Sequence, residues 1–259
     1  MEIQMKVCSL TDIGMHREMN QDYLYTSAEP VGKLPNLFMT ADGMGGHNAG
    51  EFASGNAIKR IVRSVQKNRK LDEISILRDA IREANSYIKH YADLHTSMQG
   101  MGTTLVAATI REGHMVVANI GDSRLYVIEP DRTEEVFGFS IRQVTRDHSL
   151  VQEMVRMGEL DASKAKDHRD KNIITRAVGV APEVEPDFFE VDLVPGSTVL
   201  LCTDGLSNMI DNREIQSIVC GGGDLTDRTR KLIDRANEMG GKDNITVILI
   251  ETDQDEVIS

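Results

Sequence analysis

Apolar positions along the chain follow two rhythms. Met5 to Ile13, Leu37 to Ala41, Thr103 to Ile110, Met115 to Ile120, Arg124 to Ile128, Ser197 to Thr203 and Ile245 to Ile250 are short apolar runs bounded by turn residues, which predicts strands. After the second run the period lengthens. Ala57, Ile58, Ile61, Val62 and Val65 form one stripe, and Ile74, Leu77, Ile81, Ala84, Ile88 and Tyr91 a second, so the spacing predicts two helices with one apolar face each. A third helical pattern, Leu225 to Met239, precedes the last run. Residues 148–172 break both rhythms: they are polar and gather Lys164, Lys166, His168, Arg169 and Lys171. No long Pro/Gly/Ser linker and no fixed-period repeat divides the chain, so residues 1–259 read as one domain. Strands, two helices, more strands, then helix and strand predict an α+β fold of two packed sheets with helices on their outer faces.

Composition narrows the partners. With 40% hydrophobic and 27% charged residues over 259 positions, the chain can bury a sizeable core. The formal charge of −12 argues against nucleic acid as partner, and 4% aromatics offer few stacking platforms. A phosphorylated protein stays compatible with that charge if bound cations reverse the local field. Cys8, Cys202 and Cys220 are odd in number and far apart, which fits neither a disulfide framework nor a zinc pair. No segment approaches the roughly 20 apolar residues of a membrane span. A cytoplasmic protein is the expectation.

The aspartates carry the chemistry. Asp42 and Asp204 each close an apolar run and precede a glycine; Asp122 follows Gly121 in a turn; Asp243 stands just before the last run. Asp-Gly is also a common turn dipeptide, and at any single position that reading stands beside the functional one. Four such positions could be gathered at one end of a rigid sheet, where carboxylates repel unless cations neutralise them. The stretch Asp42 to Gly50 holds four glycines in nine residues, as close backbone approach to a ligand would require. It has neither the Lys-Ser/Thr ending of a Walker A loop nor dinucleotide-site spacing.

Six segments occur in the order of a known family: Arg17-Glu18-Met19-Asn20-Gln21-Asp22, Asp42-Gly43-Met44-Gly45-Gly46-His47, Gly102-Thr103-Thr104, Asn119-Ile120-Gly121-Asp122-Ser123-Arg124, Thr203-Asp204-Gly205 and Asp243-Asn244-Ile245-Thr246. Together they resemble the metal-dependent protein phosphatases of the type 2C (PPM) class, the bacterial branch in particular, from about Cys8 to Ile250. The resemblance implies a central β-sandwich of two antiparallel sheets flanked by helices, four layers in the order α-β-β-α. It implies two tightly bound Mn²⁺ or Mg²⁺ ions and a weaker third. Asp42 would bridge the pair, the Gly43 carbonyl would join one ion, and Asp204 and Asp243 would complete the other. Asp122, with Asp204, would hold the third. Asp22 would order metal-bound water, and Arg17 would grip substrate phosphate. A metal-bridging water or hydroxide would attack phosphorus in line without a phosphoenzyme. Residues 148–172 fall where the family carries a mobile flap.

Two positions depart from the pattern. Many eukaryotic relatives place a histidine directly after Asp-Gly as a proposed general acid, whereas this chain has Met44. His47 is the nearest candidate for that role, beside the alternative that it packs the loop or bonds a backbone carbonyl. The family acid before Asp22 is Gln21 here. The expected function is a monomeric, cytoplasmic phosphoserine/phosphothreonine protein phosphatase, partnered with a bacterial Ser/Thr kinase and its substrates. The alternatives are a catalytically silent module of the same fold and another two-metal phosphohydrolase.

Overall fold

The computed structural model describes residues 5–46, 48–131, 138–165 and 168–252. In chain order it forms β1 (Met5–Asp12), β2 (Asp22–Ser27), β3 (Leu37–Met44), α1 (Ala49–Lys67), α2 (Glu73–Leu94), β4 (Gly102–Thr103), β5 (Leu105–Arg111), β6 (His114–Ile120), β7 (Arg124–Asp131) and β8 (Gly138–Gln143). Then come α3 (Leu150–Arg156), α4 (Ala162–Ala165), β9 (Asp187–Asp192), β10 (Thr198–Cys202), α5 (Asp204–Ser207), α6 (Asn212–Val219), α7 (Leu225–Glu238) and β11 (Ile245–Thr252). One antiparallel sheet runs β1-β11-β10-β7-β8, the other β2-β3-β5-β6-β9 with β4 on the end of β3.

Strand alternation explains why the central runs look continuously apolar: they are buried on both faces. Phe38, Val106, Ala108 and Val117 meet Leu125, Val127, Val199, Leu201, Ile248 and Ile250 between the sheets. Their neighbours Met39, Leu105, Ala107 and Ala118 point the other way, onto the apolar stripes of α1 and α2. Tyr126, Leu200, Cys202, Val247 and Leu249 pack under Ile215 of α6 and Leu232, Ile233 and Ala236 of α7. The result is the expected α-β-β-α stack. Asp72, Asp211 and Asp224 start α2, α6 and α7 by accepting from the amides of Ser75, Glu214 and Asp227.

Among the boundaries that differ from the sequence reading, one bears on the site. The second apolar run closes at Ala41, but β3 continues through Asp42 and Gly43 to Met44. Asp42 is therefore held within a ladder, paired with Asp22 on β2. No helix among the described residues is long and apolar enough to cross a membrane.

Candidate active site

The antiparallel registers bring the start of β2, the end of β3, the β6–β7 turn, the end of β10 and the start of β11 to one end of the sandwich. Every aspartate of the sequence reading lies there. Asp22, buried, joins the two sheets: its Oδ2 accepts from Thr203 Oγ1 at 2.8 Å and from Thr246 Oγ1 at 2.7 Å. Threonines also fix Asp42. Its amide donates to Thr104 Oγ1 at 2.9 Å, and its carbonyl accepts from Thr104 N and Thr103 Oγ1, each at 2.9 Å. Thr104 Oγ1 lies 2.7 Å from Ser123 Oγ, so the same hydroxyl reaches the turn that carries Asp122.

Two glycines let backbones touch. A Cβ on Gly43 would stand 2.1 Å from the Gly50 carbonyl oxygen, so β3 meets the first turn of α1 main chain to main chain. A Cβ on Gly205 would lie 1.9 Å from the Asn244 carbonyl oxygen, which sets Asp204 against the Asp243-Asn244 segment. Asp204 Oδ2 accepts from Asn208 Nδ2 at 2.9 Å. Asn244 pins the β1–β2 loop by donating to the carbonyls of Ile13 and Met19 and accepting from Gln21 N. That loop carries Arg17, whose Nη2 donates to Asp243 Oδ2 at 2.7 Å. A cavity of about 420 Å³ opens beside Asp122 and Asp204, lined further by Arg124, Asp147, Lys171 and Asn208.

This crowding has an electrostatic cost. Burial, offset in part by the two threonine hydroxyls and reinforced by Asp204 and Asp243, pushes Asp22 up to about 7. Burial and then Asp204 push Asp122 up to about 8. Burial and then Asp243 push Asp204 up to about 6. Asp42 is held well above the carboxylate range by burial and by Asp22, Asp204, Asp122 and Asp243 together. Asp22 Oδ1 and Asp204 Oδ1 are buried with no hydrogen-bond partner. Among the described residues no three carboxylate, imidazole or thiol side chains close into a ready-made cage, and Asp243 pairs with Arg17. Even so, orphaned carboxylate oxygens, mutual repulsion and an all-oxygen donor set are what hard divalent cations satisfy.

A pH dependence follows. These carboxylates bind protons more tightly folded than unfolded, where an aspartate titrates near 3.8. The metal-free fold is therefore favoured at low pH and loses that contribution as pH rises through about 6 to 8. The melting temperature of chelator-treated protein should fall between pH 5 and pH 8, and Mn²⁺ should restore it at pH 8. A flat profile would contradict the crowding.

Arg17, Asp22, Asp42, Gly43, Asp122, Asp204 and Asp243 all lie at this end; His47 and Lys166 lie outside the described residues. The sequence reading assigned no role to Thr104, Thr203, Thr246 or Asn244; the last three stand one to three residues from a singled-out aspartate, and Thr104 lies in the Gly102-Thr103-Thr104 segment. Such hydroxyl and amide neighbours of acidic residues were the available signal. The Arg124–Asp147 pair, 2.7 Å apart, had none, because it joins positions 23 residues apart.

A family model for protein phosphatase 2C matches residues 16–249. The serine/threonine phosphatase stp of Listeria monocytogenes is 39% identical over 251 residues, 94% of either chain. The solved S. agalactiae serine/threonine phosphatase superposes with a TM-score of 0.86 at 33% identity, over 96% of this chain and 100% of that one. The catalytic domain of the protein phosphatase PstP, solved with two manganese ions, gives 0.81 at 30% identity over 96% and 99%. The chain belongs to the protein phosphatase 2C family, a family of metal-dependent enzymes.

Proposed function

We propose that this enzyme hydrolyses phosphoserine and phosphothreonine monoesters of proteins by direct in-line attack of water on phosphorus, at the carboxylate cluster of Asp42, Asp204 and Asp243. The enzyme is a metal-dependent protein-serine/threonine phosphatase. The observation that carries the reading is the meeting of these acids at the one end of the sandwich where Arg17 also sits, with the pKa values of Asp42 and Asp204 raised and Asp204 Oδ1 buried without a partner. Asp42, the Gly43 carbonyl, Asp204 and Asp243 would hold two Mn²⁺ or Mg²⁺ ions, and Asp122 with Asp204 a weaker third. Such ions, when bound, acidify water to a nucleophile at neutral pH and offset charge on the reacting oxygens.

The protein's own groups supply position. Asp22, fixed by Thr203 and Thr246 through one oxygen, keeps its second oxygen buried and without a partner, an acceptor that can orient water. Arg17 and Asp243 are about half and one-third exposed, and an ion pair of that kind is worth at most ~1 kcal/mol. The guanidinium can therefore leave it for a phosphate, whose geometry suits a planar two-pronged donor. Thiol chemistry has no support, since burial pushes Cys202 up to about 12 and Cys220 up to about 11.

A silent module would be expected to lack Asp42, Asp204 or Asp243, and all three are present. Another two-metal phosphohydrolase has no observation in its favour. Within the proposal, the chain acts as one domain and as a monomer in the cytoplasm, where its three free thiols are stable. Residues 148–172 serve as its flap, and its partners are a bacterial Ser/Thr kinase and that kinase's substrates.

Arg17→Ala tests the phosphate grip. Losing a hydrogen bond to a charged group, worth ~1.5–3 kcal/mol, should raise KM for a phosphothreonine peptide about tenfold or more. Saturating metal content should stay unchanged. A variant that loses metal or unfolds would make Arg17 a structural residue instead.

A further inference from the structure

The β6–β7 turn that presents Asp122 is clasped by one residue from a distant segment. His148 N donates to the Gly121 carbonyl at 2.9 Å, and Gly121 N donates to His148 Nδ1 at 3.0 Å. Both peptide groups flanking Gly121 are thus bound by His148. The turn has little other freedom: Gly121 sits at φ +97°, and a Cβ there would come within 2.6 Å of Thr104 Cγ2.

For Nδ1 to accept, the ring proton must sit on Nε2. Nε2 faces Asp187 Oδ2 at 3.2 Å, out of line for a hydrogen bond, and Arg176 holds the other oxygen of Asp187 at 2.6 Å. The ring is almost wholly buried, and burial lowers its pKa against the pull of Asp187, which favours the neutral ring that an accepting Nδ1 requires. His148 also reaches the other way. Its carbonyl accepts from Thr175 N at 2.8 Å, Ser149 bridges Ile174, and Leu150 N donates to the Ile173 carbonyl. The two ends of the 150–173 excursion are therefore tied together at the residue that clasps the Asp122 turn.

We propose that His148 is a positioning residue for Asp122: its Nδ1 fixes the Gly121–Asp122 backbone so that the weak third cation site forms in register with the primary pair. It touches neither the substrate nor the expected primary ligands. The inference rests on reading Asp122 as a cation ligand, and it adds that the root of the 150–173 excursion and the third site share one anchor.

Substitutions that separate the two ring nitrogens test it. An asparagine oxygen can stand where Nδ1 stands, whereas a glutamine amide reaches the place of Nε2. His148→Asn should therefore keep the clasp, and His148→Gln and His148→Phe should break it. The first readout is hydrogen exchange of the Gly121 amide in metal-free protein; the second is calorimetric titration with Mn²⁺ alone. His148→Gln should speed Gly121 exchange, keep the two tight sites, and weaken the third about tenfold or more, as loss of an outer partner typically does. Turnover should recover at high Mn²⁺, and His148→Asn should behave like the parent. If His148→Phe fails to fold, the Asn and Gln pair still decides. Equal third-site affinity in His148→Gln and His148→Asn would overturn the proposal. Asp122→Ala in the same titration separates the two readings. Parent-like third-site binding there would remove the premise. Weakened binding there, with a parent-like His148→Gln, would remove only the role of His148.

Discussion

Asp42→Asn should fold, lose tight metal binding and release phosphate from a phosphothreonine peptide at least about a hundredfold more slowly than the parent. Asp204→Asn should do the same. Changing an outer partner of a metal ligand costs ~10–100-fold, so removing a directly ligating charge should cost more. Asp42 is the acid on which the repulsion of Asp22, Asp204, Asp122 and Asp243 all converge. Neutralising it relieves that repulsion, so metal-free Asp42→Asn should melt higher than the metal-free parent at pH 8 while being far less active. Opposite changes in stability and activity at one site distinguish a cation ligand from a fold-stabilising residue. A loss of tenfold or less would show that Asp42 is not a metal ligand.

The second large effect is expected at Asp122. Between β6 and β7 it occupies a position that a plain hairpin turn would also explain. The structure separates the two readings in part. Asp122 is pushed up to about 8 by burial and by Asp204, which a solvent-facing turn aspartate would not be. It also lines the cavity beside Asp204. Hard cations need several oxygen ligands, so a site with one or two carboxylates and water binds weakly. Asp122→Ala should therefore keep the fold and two tight Mn²⁺ ions and lose at least about tenfold in turnover, a loss that added Mn²⁺ does not repair. Mass spectrometry of the native protein gives the stoichiometry, and steady-state kinetics across a Mn²⁺ titration gives the turnover. Near-parental turnover at every concentration would leave Asp122 a turn residue, and loss of both tight ions would place it in the primary site.

The core of the fold was legible because its strands are buried on both faces. The runs of β3, β5, β6, β7, β10 and β11 stand out as continuous apolar stretches for that reason. The strands that escaped notice, β2, β8 and β9, are edge strands of their sheets. An edge strand such as Gly138–Gln143 mixes phenylalanine and isoleucine with exposed serine and arginine positions, and nothing in its periodicity separates it from a loop. The short helix α4 fell inside the stretch read only as polar.

At the site, the aspartates were legible from the turn residues beside them, while the groups that hold them were not. Thr203 and Thr246 read as ordinary strand-end threonines until the two sheets bring them onto one oxygen of Asp22. His148 carries no sequence signal at all, because its partner Gly121 lies 27 positions away. Arg17 was matched to a phosphate grip, and the structure adds that its guanidinium pairs with Asp243.

The most direct measurement is phosphate release from a phosphothreonine peptide by chelator-stripped protein, titrated with Mn²⁺ beside Asp42→Asn. The account predicts no turnover in the stripped parent, full recovery as Mn²⁺ is restored, and no recovery in Asp42→Asn. Full activity in the stripped parent, or parental recovery in Asp42→Asn, would contradict it.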